Sequence, residues 1–279
     1  LAIFTLLCSH KYSMRANEFL IEAVVTPYEH ETLTINTAVE MLNNYCSQSI
    51  AMLNSPIWRG MSNHKQDIFT LRPETGLRKS ENTTNQYTEI LSNSPYMRGW
   101  PRRDKSIICS TGLSYASGYA GYTAGVGTSE TYAIFPYDNV KIAVCPGEDM
   151  WDTKVTIPLL KMRFGIEELN DVLNRHNLYG TYEEMVRQLN DPTSDQYEDV
   201  ASELEINPPD LMPAILKAMT PEALGFKLMS IQEFAANPPH NKECWIGGPC
   251  VAMKESLWQK FRKAVVNRNS IHFPTHWRV

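Results

Sequence analysis

The order of apolar and polar positions along the chain predicts a protein that mixes helices with short strands. Apolar side chains recur about every 3.6 residues over residues 34–53, which predicts a helix. Helical patterns also fill residues 165–235, and an amphipathic pattern over residues 256–266 predicts a closing helix. The predicted strands are residues 57–60, 106–110, 131–136, 140–145 and 245–253. Because strands and helices do not alternate regularly, we expect an α+β fold rather than a doubly wound parallel sheet.

The sequence also predicts the character of two connecting segments. Residues 62–105 are polar with few periodic apolar positions. This pattern predicts a long excursion of the chain that contains only short helices or strands. Turn residues at 137–139 join the predicted strands 131–136 and 140–145. We therefore expect these two strands to follow each other closely in the fold.

The N-terminal part is interpreted separately from the rest. Residues 1–13 begin with an apolar run much shorter than the roughly 20 residues that span a bilayer. We expect them to be a non-native or unprocessed extension ahead of Met14. Residues 14–33 predict a short amphipathic leader helix. Residues 34–279 are expected to form one catalytic-type domain with a helical insertion at about residues 165–235.

The leader sequence MRANEFLIEA is similar to the capsid-targeting leaders of internal head proteins in T4-like phages. This resemblance implies a phage protein that travels in the virion, inside the capsid, and then enters the host cytoplasm. The alternative is an ordinary first helix that packs on the domain of a cytoplasmic protein.

Composition and charge narrow the classes of protein. The 279 residues carry 26 basic and 31 acidic side chains, a net charge of −5, whereas proteins that coat nucleic acid usually have a basic excess. Any nucleic-acid partner would be bound by a local basic site, near Arg102 and Arg103. An aromatic content of 10% excludes intrinsic disorder. Six cysteines without a C-x-x-C pair predict neither a disulfide scaffold nor a structural zinc site, so we expect reduced thiols and no metal.

Three widely spaced features carry residues that suit an anionic or sugar substrate. Arg59 ends an apolar strand and precedes Gly60; its guanidinium can clamp a phosphate or carboxylate, or simply be solvated. The Ser-Thr-Gly run at 110–112 ends the next long strand, where the hydroxyls suit a sugar or amide, or simply cap a helix. Glu243 leads the last apolar strand, as a functional carboxylate or as an exposed strand end.

In this order, the three features resemble the ADP-ribosyltransferase family. That family has an arginine on its first core strand, a Ser-Thr-Ser strand, and a catalytic glutamate near the C-terminus. Arg59 matches the arginine, and Trp58 matches the aromatic residue that commonly precedes it. Ser110 and Thr111 match the first two residues of Ser-Thr-Ser, and Glu243 matches the glutamate. The resemblance implies an α+β fold of the ADP-ribosyltransferase-like split β-sandwich type with flanking helices, NAD as substrate, and catalytic roles for Glu243, Arg59 and Ser110.

The resemblance also implies how NAD and the acceptor are bound. Gly112 stands where the family has the last serine of its motif, and Asn241 stands two residues before Glu243, where many members have Glu or Gln. Because that position helps to select the acceptor in the family, Asn241 is the candidate for acceptor selection, and an arginine acceptor is not expected. The implied NAD-binding residues are Arg59, Gly60, Ser110, Thr111, Gly112 and Tyr119, with Tyr119 or Tyr122 stacking on nicotinamide.

The expected function is mono-ADP-ribosyl transfer, in which NAD is cleaved at the nicotinamide–ribose bond and ADP-ribose passes to a macromolecular acceptor, a protein or a nucleic acid. Two alternatives stay open: a non-catalytic virion protein with the same fold, and an NAD glycohydrolase. Glu148 and Asp149 form a competing acidic pair, but acids in a Pro-Gly turn are usually solvated. Cys244 with His240 does not predict a thiol hydrolase, because residues four apart on an extended segment lie about 10–14 Å apart.

Overall fold

The computed structural model of the protein describes residues 29–62, 65–73, 86–121, 129–157 and 162–268. The expected extension and most of the leader lie outside these residues. At the end of the predicted leader helix, Glu29–Thr32 form a strand instead. No helix within the described residues is long and apolar enough to cross a membrane.

Nine of the eleven strands in the described residues form one antiparallel sheet, with the order β1-β3-β11-β5-β2-β4-β10-β6-β9. The other two strands, β7 and β8, pair separately. The strands are β1 (Glu29–Thr32), β2 (Ile57–Ser62), β3 (Ile68–Arg72), β4 (Ile107–Ser110), β5 (Ser129–Pro136), β6 (Lys141–Val144), β7 (Lys154–Ile157), β8 (Met162–Gly165), β9 (Lys227–Ser230), β10 (Glu243–Ile246) and β11 (Cys250–Lys254).

The helices of the described residues are amphipathic, and their apolar stripes face the sheet or one another. In the helix that begins at Ile166, for example, Leu169, Val172 and Leu173 are buried. The helices are α1 (Ile35–Tyr45), α2 (Ser47–Ile50), α3 (Gln86–Asn93), α4 (Leu113–Gly121), α5 (Ile166–Arg175), α6 (Tyr182–Gln188), α7 (Asp195–Glu203), α8 (Leu211–Ala218), α9 (Pro221–Leu224), α10 (Ile231–Ala236) and α11 (Glu255–Arg268). The protein is therefore α+β, as the pattern predicts.

The large sheet has a seam between β2 and β4. These two strands share a single registered pair, Trp58 with Ser110, whereas β2 and β5 share six. The seam divides the sheet into a β2 half (β1, β3, β11, β5 and β2) and a β4 half (β4, β10, β6 and β9). Apolar residues of both halves belong to one buried cluster, for example Ile57 and Tyr132 with Ile107 and Cys244. The two halves therefore share one buried apolar face, which Ile231 and Phe234 of α10 also contact.

Helices also cover the opposite face of each half. On the β2 half, Trp58 and Phe135 pack with Leu42 of α1 and Phe261 of α11. On the β4 half, Ile108 and Trp245 belong to the same cluster as residues of α3 and of the helices between Ile166 and Leu224.

The predicted turn after β5 is present, and it does not form a hairpin. The turn at 137–139 joins β5 and β6, but these strands do not pair with each other. β5 pairs with β2 and β11, and β6 pairs with β9 and β10. The turn instead crosses from one half to the other. The Asp138 carboxylate anchors it by accepting the backbone N–H groups of Ser47, at 3.1 Å, and Gln48, at 2.8 Å.

Two sequence predictions needed correction. The single predicted strand 245–253 is two strands, β10 and β11, which lie in different halves. They are separated at Gly248, where a Cβ would lie 2.6 Å from Val140 Cγ2. The predicted helical region 165–235 contains the edge strand β9, which pairs with β6. The polar stretch 62–105 contains short elements as predicted, among them β3 and α3.

Candidate functional site

Residues from the three predicted motifs lie side by side on neighbouring strands. Trp58 of β2 is registered with Ser110 of β4, and Ser110 is registered with Glu243 of β10. Because adjacent strands are about 4.8 Å apart, the Cα atoms of Trp58 and Glu243 are about 10 Å apart. The fold thus brings together positions that are widely separated in the sequence.

The Glu243 carboxylate is buried, with 1% of the residue exposed. Its Oε1 accepts the indole N–H of Trp245 at 2.6 Å, and its Oε2 accepts the backbone N–H of Met150 at 2.9 Å. Residues two apart on a strand share a face, so Glu243 and Trp245 both face the outer side of the β4 half. The expectation of an exposed strand end is wrong for Glu243.

Two more buried charged residues belong to this environment. Arg103 is 4% exposed and Asp149 is 8% exposed. Burial alone would lower the pKa of the Arg103 guanidinium, but the negative charges of Tyr87, Glu243 and Asp149 raise it. The Arg103 guanidinium carbon also lies 5.3 Å from the centre of the Tyr87 ring. The carboxylates therefore share a buried region with a permanent cation.

The structure shows the surroundings of Arg102 and Arg103, where a nucleic-acid partner was expected to bind. Arg103 lies in the interior. Arg102 is held by Asp104, with its Nε donating at 3.0 Å and its Nη2 at 2.7 Å. The same Nη2 also donates to Asn93 Oδ1 at 2.9 Å. Both guanidinium groups thus stabilise the chain around the start of β4.

Residues 146–149, which we call the cover segment, lie against the start of β10. The carbonyl of Gly147 accepts the backbone N–H of Glu243 at 3.2 Å. The Tyr115 hydroxyl donates to the Glu148 carboxylate, and Lys242 Nζ donates to the carbonyl of Pro146. The segment is therefore tied to α4 and to the residue before Glu243.

The acidic pair in the cover segment is not the solvated turn that the sequence predicts. Asp149 is buried, and its Oδ1 accepts the backbone N–H of Trp151 at 2.9 Å. Glu148 is half-buried beside Tyr115. Packing against β10 and α4 removes both side chains from full contact with water.

Ser110 and Thr111 connect the end of β4 to the strand that carries Glu243. Ser110 is 3% exposed, and its Oγ accepts the backbone N–H of Gly112 at 3.0 Å. Thr111 donates its N–H to the carbonyl of Lys242 at 2.9 Å, and its Oγ1 accepts the N–H of Lys242 at 2.8 Å. Both hydroxyls therefore fix the backbone beside Glu243.

Gly112 and Asn241, the two departures from the family pattern, are in contact. A Cβ on Gly112 would lie 2.7 Å from Asn241 Oδ1 and 2.9 Å from Cδ2 of Tyr115. Asn241 has φ = 49°, in the left-handed region that asparagine enters more readily than most residues. The absence of a side chain at Gly112 provides the space in which the Asn241 amide lies.

Arg59 lies at the seam. It is 5% exposed. Because residues two apart on a strand share a face, Arg59 lies on the same face of β2 as Ile57 and Met61, which belong to the apolar cluster that both halves share. Its Nη1 donates to the carbonyl of Ile108 in β4. Arg59 thus bridges the seam where the ladder of backbone hydrogen bonds stops, and its use as a phosphate clamp stays a prediction.

A small recess at the seam is lined partly by Arg59, Gly60, Ser110 and Ala116, and its cavity volume is about 10 Å³. This is about the space that one water molecule needs. The recess is therefore too small to hold a ring or a sugar as it stands. Tyr119 lies on α4, but its side chain is outside what the structure describes, and Tyr122 is outside altogether.

The described cysteines are buried thiols that form no disulfide with one another: Cys46, Cys109, Cys145, Cys244 and Cys250. Burial raises the pKa of the thiols of Cys145, Cys244 and Cys250 well above its usual value, which disfavours a thiolate nucleophile. Within the described ranges, no three or more His, Cys, Asp or Glu side chains are grouped so that they could hold a metal ion.

Sequence reasoning missed the surroundings of Glu243. The contact with Trp245 had a signal, because residues two apart on a strand share a face. Arg103 and the N–H group of Met150 had none, since only the packing of distant segments brings them to Glu243.

No protein-family model, curated protein or solved structure matches this chain.

Proposed function

We propose that this protein is a mono-ADP-ribosyltransferase that cleaves NAD at the nicotinamide–ribose bond and transfers ADP-ribose to a macromolecular acceptor. The observation that carries the proposal is the register of Trp58, Ser110 and Glu243 on three adjacent strands. The neighbours of these residues, Arg59 and Thr111, belong to the same motifs and lie at the same seam. If the short motifs resembled the family only by chance, their residues would not need to lie on adjacent strands.

The architecture supports the same proposal. The ladder between β2 and β4 is reduced to one registered pair, and the two halves share one buried apolar cluster. These features are compatible with an ADP-ribosyltransferase-like split β-sandwich. The nicotinamide end of NAD is then proposed to bind beside this break, where the small recess would have to widen.

The reaction exchanges one bond at C1′ of the nicotinamide ribose. The C1′–N1 bond breaks, and its electron pair goes to nicotinamide, which neutralises the pyridinium. The acceptor nucleophile forms the new bond to C1′ and loses its proton. The transition state resembles an oxocarbenium ion, as in glycoside hydrolysis. A carboxylate close to the ribose stabilises the developing positive charge.

Glu243 is the proposed catalytic residue. Its carboxylate has about four acceptor positions, and the N–H groups of Trp245 and Met150 occupy two of them. The remaining positions suit the ribose 2′-hydroxyl. Because Glu243 is buried under the cover segment, substrate access requires that segment to move, with Gly147 as its most permissive residue.

The other site residues have supporting roles in this proposal. Ser110 and Thr111 hold the backbone beside the ribose, and Arg59 keeps the seam at a fixed width. The Asn241 amide, which can donate and accept, suits an acceptor amide or base better than a guanidinium. The acceptor is therefore proposed to be a macromolecule other than an arginine side chain.

Incubation of the protein with labelled NAD and a lysate tests the proposal by two readouts, free nicotinamide and labelled macromolecule. Glu243→Gln should lower the transfer rate by about 100-fold or more, because it removes the charge that stabilises the transition state. The matched control is Glu222→Gln, since Glu222 is exposed on α9 and belongs to none of the three motifs, and it should keep the wild-type rate.

Other outcomes identify the alternatives. Nicotinamide release without a labelled macromolecule indicates an NAD glycohydrolase. No release, together with no rise in the thermal midpoint at millimolar NAD, indicates a non-catalytic protein. Wild-type transfer by Glu243→Gln would show that Glu243 is not the catalytic residue.

A further inference from the structure

We propose that the hydrogen bond between Tyr115 and Glu148 is a latch, which holds the cover segment closed over Glu243 and must open before a substrate reaches the carboxylate. The identity of the substrate that the latch admits rests on the proposed function. The latch itself is a property of the folded protein and can be measured without any substrate.

The cover segment extends the ladder between β6 and β10. The last registered pair of these strands is Cys244 with Val144. Beyond it, Cys145 donates its backbone N–H to the carbonyl of Glu243 at 2.9 Å, and the N–H of Glu243 donates to the carbonyl of Gly147 at 3.2 Å. Glu243 is 1% exposed in this arrangement. The structure therefore shows the closed position of the segment.

Tyr115 is the fixed side of the latch. Its ring packs on the turn between β4 and α4, because a Cβ on Gly112 would lie 2.9 Å from Tyr115 Cδ2. The same Cβ would lie 2.7 Å from Asn241 Oδ1, so the amide of Asn241 fills the space beside this turn. The next residue of α4, Ala116, is buried and anchors the helix. When the latch opens, we therefore expect the cover segment to move rather than Tyr115.

Glu148 is the mobile side of the latch. The Tyr115 hydroxyl donates to its carboxylate and so joins α4 to the cover segment. The next residue, Asp149, is buried, and its Oδ1 accepts the backbone N–H of Trp151 at 2.9 Å. Tyr115 and Glu148 are only half-buried. Water can therefore replace their hydrogen bond without leaving a charge unsolvated, which makes this contact easier to open than that of Asp149.

The other tie of the cover segment does not oppose this movement. Lys242 Nζ donates to the carbonyl of Pro146, the first residue of the segment. Gly147 and Glu148, which we call the tip of the segment, follow it. Movement of the tip breaks the bond from the N–H of Glu243 to the carbonyl of Gly147. The backbone amide of Glu243 therefore reports whether the segment is open.

Hydrogen exchange at the amide of Glu243 tests the latch. Tyr115→Phe removes only the hydroxyl, and it should speed this exchange by about 5-fold or more, because a hydrogen bond to a charged group is lost. The amides of β5 and β11 should keep their rates. Tyr179→Phe is the matched control, since the Tyr179 hydroxyl donates to the carbonyl of Asn174 at 3.3 Å and its removal should leave the exchange at Glu243 unchanged.

A second variant shows whether the two side chains act together. Glu148→Ala should speed the exchange at Glu243 about as much as Tyr115→Phe does. The double variant should exchange little faster than either single one, because both changes remove the same bond. Unchanged exchange in Tyr115→Phe, or additive effects in the double variant, would overturn the proposal. So would an equal acceleration in β5 and β11, since the bond would then support the fold as a whole.

Nicotinamide release separates the latch from the proposed function. With an active wild type, Tyr115→Phe should raise kcat/KM for NAD several-fold, because a larger fraction of the molecules is open to substrate. A value of kcat/KM that stays the same or falls would show that the latch does not control access to Glu243. An inactive wild type would refute the proposed function, and the exchange series would still decide whether Tyr115 and Glu148 hold the cover segment closed.

Discussion

Gly112 and Asn241 are best understood as one unit at the residue scale. Neither matches the family pattern, and each occupies the space that the other leaves. The backbone of Asn241 is already in a conformation that suits glycine, so removing its side chain costs little there. The two positions should therefore respond to substitution together rather than independently.

Gly112→Ala should destabilise the protein by about 1–2 kcal/mol, because its Cβ would press on Asn241 and on the Tyr115 ring. Adding Asn241→Gly should recover part of the loss. Urea unfolding measures both values. Gly118→Ala is the control, since a Cβ there meets nothing within 4 Å and the residue lies inside α4, so the change should be neutral or stabilising. Equal losses in the single and the double variant would show that the two residues are not coupled.

Among the elements, the helices on the β4 half are joined by a small ion cluster at their surface. Arg175 Nη2 at the end of α5 donates to Glu203 of α7, and His176 Nε2 lies 2.6 Å from the same carboxylate. These two hydrogen bonds, that of Arg175 first, lower the pKa of Glu203. The folded carboxyl therefore ionises more readily than in the unfolded chain.

Glu203→Gln should destabilise the protein near neutral pH by less than about 1 kcal/mol, because the pair is largely exposed to water. A lowered pKa contributes stability above the unfolded value of the carboxyl, and that contribution is lost as the pH falls through the folded value. The difference from wild type should thus shrink as the pH falls below about 4.3, the ordinary pKa of a glutamate. Urea unfolding near neutral pH and in acid measures it. Glu198→Gln, at an exposed position of the same helix, is the control and should change the free energy of unfolding little at neutral pH.

At the scale of the whole molecule, the seam between β2 and β4 is the weakest link in the ladder of the large sheet. These strands share one registered pair, and the two halves are joined by a common apolar cluster. Arg59 spans the seam by donating to the carbonyl of Ile108. A buried carbonyl beyond the end of a ladder needs such a donor.

Arg59→Met should lower the free energy of unfolding by about 1–3 kcal/mol, because the carbonyl of Ile108 loses its charged donor. Urea unfolding measures the loss, and faster amide exchange in β4 should accompany it. Arg187→Met removes an exposed arginine on α6 and should change little. A seam variant as stable as wild type would mean that Arg59 does not join the halves.

The sequence alone was enough for the local elements and for the identity of the candidate site residues. The period of α1, the strand character of β2 and β4, and the chemistry of Arg59, Ser110 and Glu243 are local properties, and the structure has them where the pattern indicates. Short-range periodicity carries this information because it reflects which face of an element is buried.

Only the tertiary structure decided how those residues are related. The separation of β5 from β6, the burial of Glu243 and its hydrogen bond from Met150 all depend on pairing between distant segments. The direction of Arg59 toward the inner core likewise depends on which strand lies across the seam. Strand order and the desolvation of charges are set by the energy of the whole packed molecule, and no local pattern in the chain encodes them.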